Sequence, residues 1–297
     1  MMPLLAGPRR LAQKIPVALW LVTAVCSAQL ASSLSVPVIH RIGSPAATSL
    51  RLIFGAVFFL SVARPKLWAM GRARLGAAFA LGLITCGMSF FFFAAVARIP
   101  IGMTVSIEFL GPLAVALAGS RRLLDLVWVI MAGLGVWLLT MQDHGSADTV
   151  GLIFAGASAA CWGGYILMTR RVGKVFSGLQ GLALSMGVAA FAGLPIGVVP
   201  HWQALSVTAV VVMGLISLLS PILTFGLEMA SLRRMEPRHF GILMSLEPVM
   251  AAVMGFLVVG QRLSVAQLAG MACVTLASIG TVAGRAKEAP PIAEGET

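Results

Sequence analysis

The sequence predicts an all-α membrane protein of ten transmembrane helices, arranged as two inverted five-helix repeats with both termini on the cytoplasmic side. Three observations predict it. The chain of 297 residues is 59% hydrophobic and only 10% charged, whereas soluble domains run near 45–50% and 25%. Its apolar residues fall in long uncharged runs, and its basic residues cluster at alternate connectors. A water-soluble globule, a disordered chain and a disulfide-stapled secreted domain are excluded by that composition. The formal charge of +11, which in a soluble protein would point to nucleic acid, has to be explained within a membrane.

A membrane helix needs about 20 mostly apolar residues to cross a hydrocarbon core of roughly 30 Å. Cutting the chain at charges and turn signals gives a first span between Lys14 and Arg41, ending near Val36–Pro37. The basic start followed by an apolar run also resembles a signal peptide, but the apolar stretch continues past Cys26-Ser27-Ala28. The second span is Ser44 to Ala63, the third Leu75 to Ala97, the fourth Ile101 to Gly119, the fifth Leu126 to Gln142 and the sixth Thr149 to Thr169. Val175 to Leu227 is uncharged for 53 residues, too long for one crossing. Pro195, Gly197, Pro200 and His201-Trp202-Gln203 mark a turn, giving a seventh span near Leu179–Val199 and an eighth near Leu205–Ala230. Gly241 to Gly260 and Leu263 to Ala283 complete the ten. The domain boundaries follow: a cytoplasmic segment 1–14, repeats at 15–142 and 149–284, and a polar cytoplasmic tail 285–297 that reads as disordered. Membrane barrels need alternating strands, and these runs do not alternate.

Orientation follows from positive charge, which favours the cytoplasmic side. With the N-terminus inside, 17 of the 21 Lys and Arg residues fall on cytoplasmic segments, among them Arg9, Arg10, Lys14, Lys66, Arg121, Arg122, Arg170, Arg171, Arg233, Arg238 and Lys287. The outer connectors hold only Arg41, Arg98 and Arg262.

The fourth and ninth spans match. Gly102, Ser106 and Glu108 recur as Gly241, Ser245 and Glu247, each 139 residues later. Five is odd, so two five-span repeats enter the membrane in opposite senses. Inverted repeats are a mark of secondary transporters, whose binding site lies between the halves.

Four ionisable residues lie within spans: Arg51, Glu108, Glu228 and Glu247. Each costs about 2.5–3.5 kcal/mol at mid-membrane, so each is a candidate functional group. Arg51 and Glu108 lie about seven residues, roughly 10 Å, from the same face, so they could form a binding pair that opens for substrate or a permanent structural ion pair. Arg51 offers a fork to a carboxylate, and Glu108 would take an ammonium or a proton. Pro248 follows Glu247 and removes a backbone donor, which suits a gate or a simple kink. Pro112 in the fourth span is a second candidate break. Glu228 would line a site or else snorkel toward Arg233 and Arg234. Gln29, with Ser27, Ser32, Ser33 and Ser35, makes the first span the most polar, for a cavity or for helix packing. Trp162-Gly163-Gly164-Tyr165 has the same two readings. Phe90 to Phe93 reads as lipid-facing or core bulk, and Trp20, Trp68, Trp128 and Trp202 as interfacial residues.

Nucleophile-elbow, zinc-protease and phosphate-loop patterns are absent from the sequence, as is any metal spacing among Cys26, Cys86, Cys161 and Cys273. No cofactor is expected. Without an ATP motif, transport would be driven by a gradient or run downhill.

The run Ile107-Glu108-Phe109-Leu110-Gly111-Pro112-Leu113-Ala114-Val115-Ala116-Leu117, followed by Ser120-Arg121-Arg122, closely resembles the threonine/homoserine exporters of the EamA branch of the drug/metabolite transporter superfamily. Leu50-Arg51-Leu52, Leu227-Glu228-Met229 and Met244-Ser245-Leu246-Glu247-Pro248 match as well, and the likeness covers essentially the whole chain. The resemblance implies the drug/metabolite transporter fold in the bacterial inner membrane and export of small amino acids by exchange with protons. Gln29-Leu30 and Gln261-Arg262 depart from the family pattern, where a Gly and a Gly-Glu pair are expected. The expected partners are the amino-acid substrate, protons and the bilayer, without nucleic acid, in a monomer or weak dimer. The alternatives are a broad metabolite or drug exporter and a membrane sensor or scaffold with structural charges.

Overall fold

The computed structural model describes residues 16–65, 70–118, 123–140, 148–176, 178–232, 234, 240 and 243–285, all helix, turn or connector. The expected cytoplasmic segment 1–14, the tail beyond Arg285, and Lys66, Arg121, Arg122, Arg233, Arg238 and Gly241 lie outside the described residues.

The helices are α1 (Val17–Ile42), α2 (Ser44–Ala63), α3 (Arg72–Val96), α4 (Ile101–Glu108), α5 (Leu110–Ala118), α6 (Leu123–Thr140), α7 (Thr149–Val175) and α8 (Gln180–Gly193). After α8 a π-turn, Leu194–Val198, carries the chain through Val199–His201 to Ala204. Then follow α9 (Val207–Ser217), a second π-turn Leu218–Leu223, α10 (Thr224–Leu232), α11 (Glu247–Met254), a third π-turn Gly255–Val259 and α12 (Val265–Arg285). Among the described residues, six helical segments are long and apolar enough to cross a membrane: Val17–Ile42, Ser44–Ala63, Arg72–Val96, Thr149–Val175, Gln180–Ala204 and Val207–Glu228. Four shorter apolar segments, Ile101–Val115, Leu126–Leu139, Glu247–Val259 and Val265–Thr281, complete the bundle.

Two expected boundaries move. The first helix does not stop at Val36–Pro37 but runs through Pro37 to Ile42. A proline costs one backbone bond, which neighbouring helices can offset inside a membrane. The real terminator is Gly43, at φ 84°, with Pro45 in the first turn of α2. Pro195, Gly197 and Pro200 likewise do not end the seventh segment, which continues to Ala204. Gly197 is a packing residue: a Cβ there would overlap Ser49 Oγ and the Pro45 carbonyl.

Close helix contact rests on small residues, as expected where lipid is as apolar as the side chains. A Cβ on Gly135 of α6 would lie 2.7 Å from the Gly270 carbonyl oxygen of α12, and one on Gly270 would lie 2.6 Å from that of Gly135. Gly111 of α5 sits against the Ala159 backbone of α7 in the same manner. The most extensive pairings are α3 with α7, α6 with α12 and α2 with α8.

The main buried cluster occupies one end of the bundle. It joins Ile39 and Ile42 of α1, Ala46 and Ala47 of α2, Phe93 and Val96 of α3, Ile101 and Met103 of α4, Met213 of α9 and Ala251 of α11. There α4 and α11 nearly touch: a Cβ on Gly102 would lie 3.1 Å from the Ala252 Cα. Gln261 Oε1 accepts from the Ile101 amide at 3.1 Å, covering the start of α4. Smaller clusters among the described residues gather around Phe59, Cys86 and Met186 and around Leu113, Ala132 and Ala277.

Candidate functional site

Beneath the packed end lies a cavity of about 190 Å³. Its wall contains Gln29, Arg51, Glu108, Trp162, Tyr165, Glu228 and Glu247. All seven candidate substrate or proton residues from the sequence therefore meet in one space, although they come from six helices.

Interrupted helices build this wall. The fourth segment is interrupted by a single turn residue, Phe109, directly after Glu108 and with its backbone still helical (φ −62°, ψ −15°), and the ninth by a turn at Ser245–Leu246, directly before Glu247. Pro112 falls in the first turn of α5 and Pro248 in the first turn of α11. Pro248, a candidate break from the sequence, stands just after the interruption of the ninth segment, in a first turn where its missing N–H has no partner to lose. Another break, unforeseen from the sequence, opens the eighth segment at Ser220, whose φ −150° and ψ 123° are extended. The signal was present in Ser220-Pro221, because a proline drives the preceding residue out of the helical region.

That break organises Arg51. Its guanidinium donates to Ser220 Oγ at 2.7 Å and lies 5.0 Å from the centre of the Phe93 ring. Phe93, a member of the main buried cluster, is thus also part of the site, because a ring face attracts a desolvated cation. The Leu219 carbonyl, released beside the break, accepts from Ser27 at 2.9 Å and Thr224 at 3.0 Å.

Glu108 takes a different partner. Ser158 of α7 donates to its Oε1 at 2.5 Å and lies 3.1 Å from the Met88 carbonyl of α3. A hydroxyl carries one proton, so Ser158 chooses between the carboxylate and the carbonyl. Arg51 and Glu108 share the cavity but form no ion pair; among the described residues the one such contact is Arg98 with Asp148. The ion pair between them, assumed both for a binding pair and for a structural bridge, has no counterpart here. Neither does the pairing of Glu228 with Arg234, whose guanidinium instead lies 4.7 Å from the Trp20 ring centre. Sequence reasoning missed Ser220, Thr224 and Phe93 as wall residues, and Ser158 as the partner of Glu108, since a lone hydroxyl or ring in an apolar run carries no pattern.

Trp162 meets Phe109 edge to face, with ring centres 5.0 Å apart. The glycine that follows it, Gly163, lets α5 approach: a Cβ there would lie 3.3 Å from Val115. At the packed end, Arg98 Nη1 donates to Asp148 at 2.6 Å, and Asp148 caps α7 by accepting from the Val150 and Gly151 amides. The hydrogen bond from Arg98 holds the Asp148 carboxyl below the usual range, helped by the two amides.

An EamA-like transporter family model matches residues 149–283. The chain is 36% identical over 284 residues to the threonine/homoserine exporter RhtA of Escherichia coli strain K12, covering 94% of this chain and 95% of that protein. Against the threonine/homoserine exporter RhtA of Salmonella typhimurium strain SL1344 it is 36% identical over 277 residues, covering 92% and 93%. One solved crystal structure, 20% identical, superposes with a TM-score of 0.55 over 91% of this chain and 99% of that one, a likeness of fold.

Proposed function

Because the chain belongs to the EamA-like transporter family, we propose that it exports small amino acids such as threonine and homoserine across the bacterial inner membrane in exchange for protons. The observation that carries this reading is the enclosure of one guanidinium, Arg51, with three carboxylates, Glu108, Glu228 and Glu247, in a single cavity. A zwitterion needs one cation for its carboxylate and one anion for its ammonium; the remaining acids are available to protons. At about 190 Å³ the cavity lies below the roughly 300–1,000 Å³ of drug-sized sites, which favours a small amino acid over a broad drug substrate.

The topology proposed is ten spans in two inverted repeats, with both termini in the cytoplasm. Counterpart segments pack on each other in support of it: α2 on α8, α4 on α11 and α6 on α12. Gly135 and Gly270 make the reciprocal contact expected near a pseudo-two-fold axis. In that orientation the packed end faces outward, so the cavity serves the cytoplasm. Substrate enters, its carboxylate replaces Ser220 as partner of Arg51, and its ammonium settles among the acids. Separation of α4 from α11 then exposes it outside, where a proton taken by Glu108 displaces the ammonium. Return of the protonated carboxyl to the cytoplasmic side, where it releases its proton and is again a carboxylate for the next ammonium, closes the cycle.

Inverted vesicles carrying the full chain test the reading, with labelled threonine and an imposed pH gradient. Gradient-dependent threonine flux is expected, and its absence overturns the proposal. Glu108→Gln should remove the pH dependence while the protein stays in the membrane. Arg51→Lys keeps the charge and loses the fork; the half-saturating threonine concentration should rise by about tenfold or more, the scale of a charge-assisted hydrogen bond.

A further inference from the structure

Several polar groups of the cavity are held by the chain itself, and one that is fully buried, the Gln29 amide oxygen, is not. Arg51 is held by Ser220, Glu108 by Ser158, and Ser27 and Thr224 by the Leu219 carbonyl. Gln29 is 4% exposed and lines the same wall, yet its Oε1 has no hydrogen-bond partner. Three other buried side-chain oxygens among the described residues share that condition, those of Ser33, Ser231 and Thr275. They are helical hydroxyls outside the cavity wall, and such a group can turn onto the carbonyl one helical turn back. A glutamine amide, with two donors and two lone pairs, has more to satisfy. Leaving it buried and dry is unfavourable, so its persistence beside a substrate-sized space implies a partner from that space.

We propose that Gln29 determines specificity by hydrogen bonding to a hydroxyl on the substrate side chain. The inference rests on the amino-acid reading above and names the feature by which the cavity selects among amino acids. Arg51 answers the α-carboxylate and the acids answer the ammonium, which leaves the amide of Gln29 for the side chain. A hydroxyl both donates to Oε1 and accepts from Nε2. The terminal amide torsion is broad and nearly two-fold, so either atom can face the cavity. An analogue of the same skeleton without the hydroxyl would leave the amide unpaired, the condition under which a polar site rejects a ligand strongly.

2-Aminobutyrate is the deoxy counterpart of both threonine and homoserine, and it is the probe. The full-length protein in proteoliposomes should favour threonine over 2-aminobutyrate by at least about fivefold, the value of one ordinary hydrogen bond. Gln29→Met, close in volume and apolar, should bring the two within about twofold by weakening threonine and sparing 2-aminobutyrate. Its melting temperature without substrate should equal or exceed that of the parent, because an unpaired buried group has gone. Retained preference in Gln29→Met, equal loss of both substrates, or a lower melting temperature without ligand each overturns the inference. So does a parent protein that takes both equally, with the export reading left standing. A parent that neither moves nor is stabilised by either amino acid overturns the export reading itself.

Discussion

Ser158 stands between two acceptors, the Glu108 carboxylate at 2.5 Å and the Met88 carbonyl at 3.1 Å. It thus ties the state of one acid to the contact between α3 and α7. Ser158→Ala leaves Glu108 without this donor and should destabilise the protein by about 1–3 kcal/mol, the cost of orphaning a buried polar group. In a double-mutant cycle with Glu108→Gln, read by thermal unfolding, the two losses should be clearly less than additive. At the packed end the exposed pair Arg98 and Asp148 makes a pH prediction. The Asp148 carboxyl is held below its usual value, so its contribution is full above the unfolded value of about 3.9 and is lost as pH falls through the folded value. Melting temperatures measured from pH 7 downward should show the advantage of the parent over Asp148→Ala vanish in that acidic range. Arg51, Glu108, Glu228 and Glu247 were legible in the sequence because charge inside an apolar run is costly. Ser158 was not, because its importance comes from the residue opposite.

At the scale of the element, cavity and rigidity come from opposite uses of the helix. Interruptions at Phe109, Ser220 and Ser245–Leu246 bring Glu108, Glu247 and the Arg51 partner to the wall. Unbroken α3 and α7 form the most extensive pairing beside them. Where helices meet closely, glycine sets the distance. A side chain at Gly111 has no room before the Ala159 backbone, so Gly111→Leu should cost at least about 1–3 kcal/mol, the usual penalty of overpacking. Gly76, with open space around it, is the control: Gly76→Ala should leave the melting temperature unchanged or slightly higher, as an exposed helical glycine allows. Of these interruptions, Pro112 and Pro248 were visible as candidates and Ser220-Pro221 was overlooked. Pro37 signalled an end that did not occur, whereas Pro195 and Pro200 stand a few residues before the connector at Leu205–Ser206. Proline marks places where a helix can break, and packing decides which ones do.

For the whole molecule, the asymmetry between a packed end and a cavity beneath it is the main feature. In the proposed cycle α4 and α11 must part, and Gly102 and Ala252 are a point of close contact between them. Gly102→Val should hold that end apart and shift the population toward an outward-open form. The measurement is modification of a cysteine at Val105, a cavity-wall residue, by a membrane-impermeant reagent added outside, in a background lacking the four native cysteines. Faster labelling with Gly102→Val than without it is expected. In the same background, cysteines at Gly173 and Trp202 should react from the cytoplasmic and outer faces respectively; a reversed pattern contradicts the N-in orientation.

Sequence alone determined that this chain is an all-helical membrane protein of the transporter kind, and which charges its bilayer has to accommodate. The membrane class follows from composition and run length, which depend on the solvent and not on how helices meet, and the transporter reading from the repeat of the fourth span in the ninth and from the family resemblance. Tertiary structure decided the rest. It separated Arg51 from Glu108 and gave each its own hydrogen-bond partner. It turned Phe93 toward a guanidinium and left Gln29 unpaired in the wall. Contacts of this kind join residues far apart in the chain, Arg51 and Ser220 by 169 positions and Ser27 and Leu219 by 192, and no local periodicity can encode which residue stands opposite which.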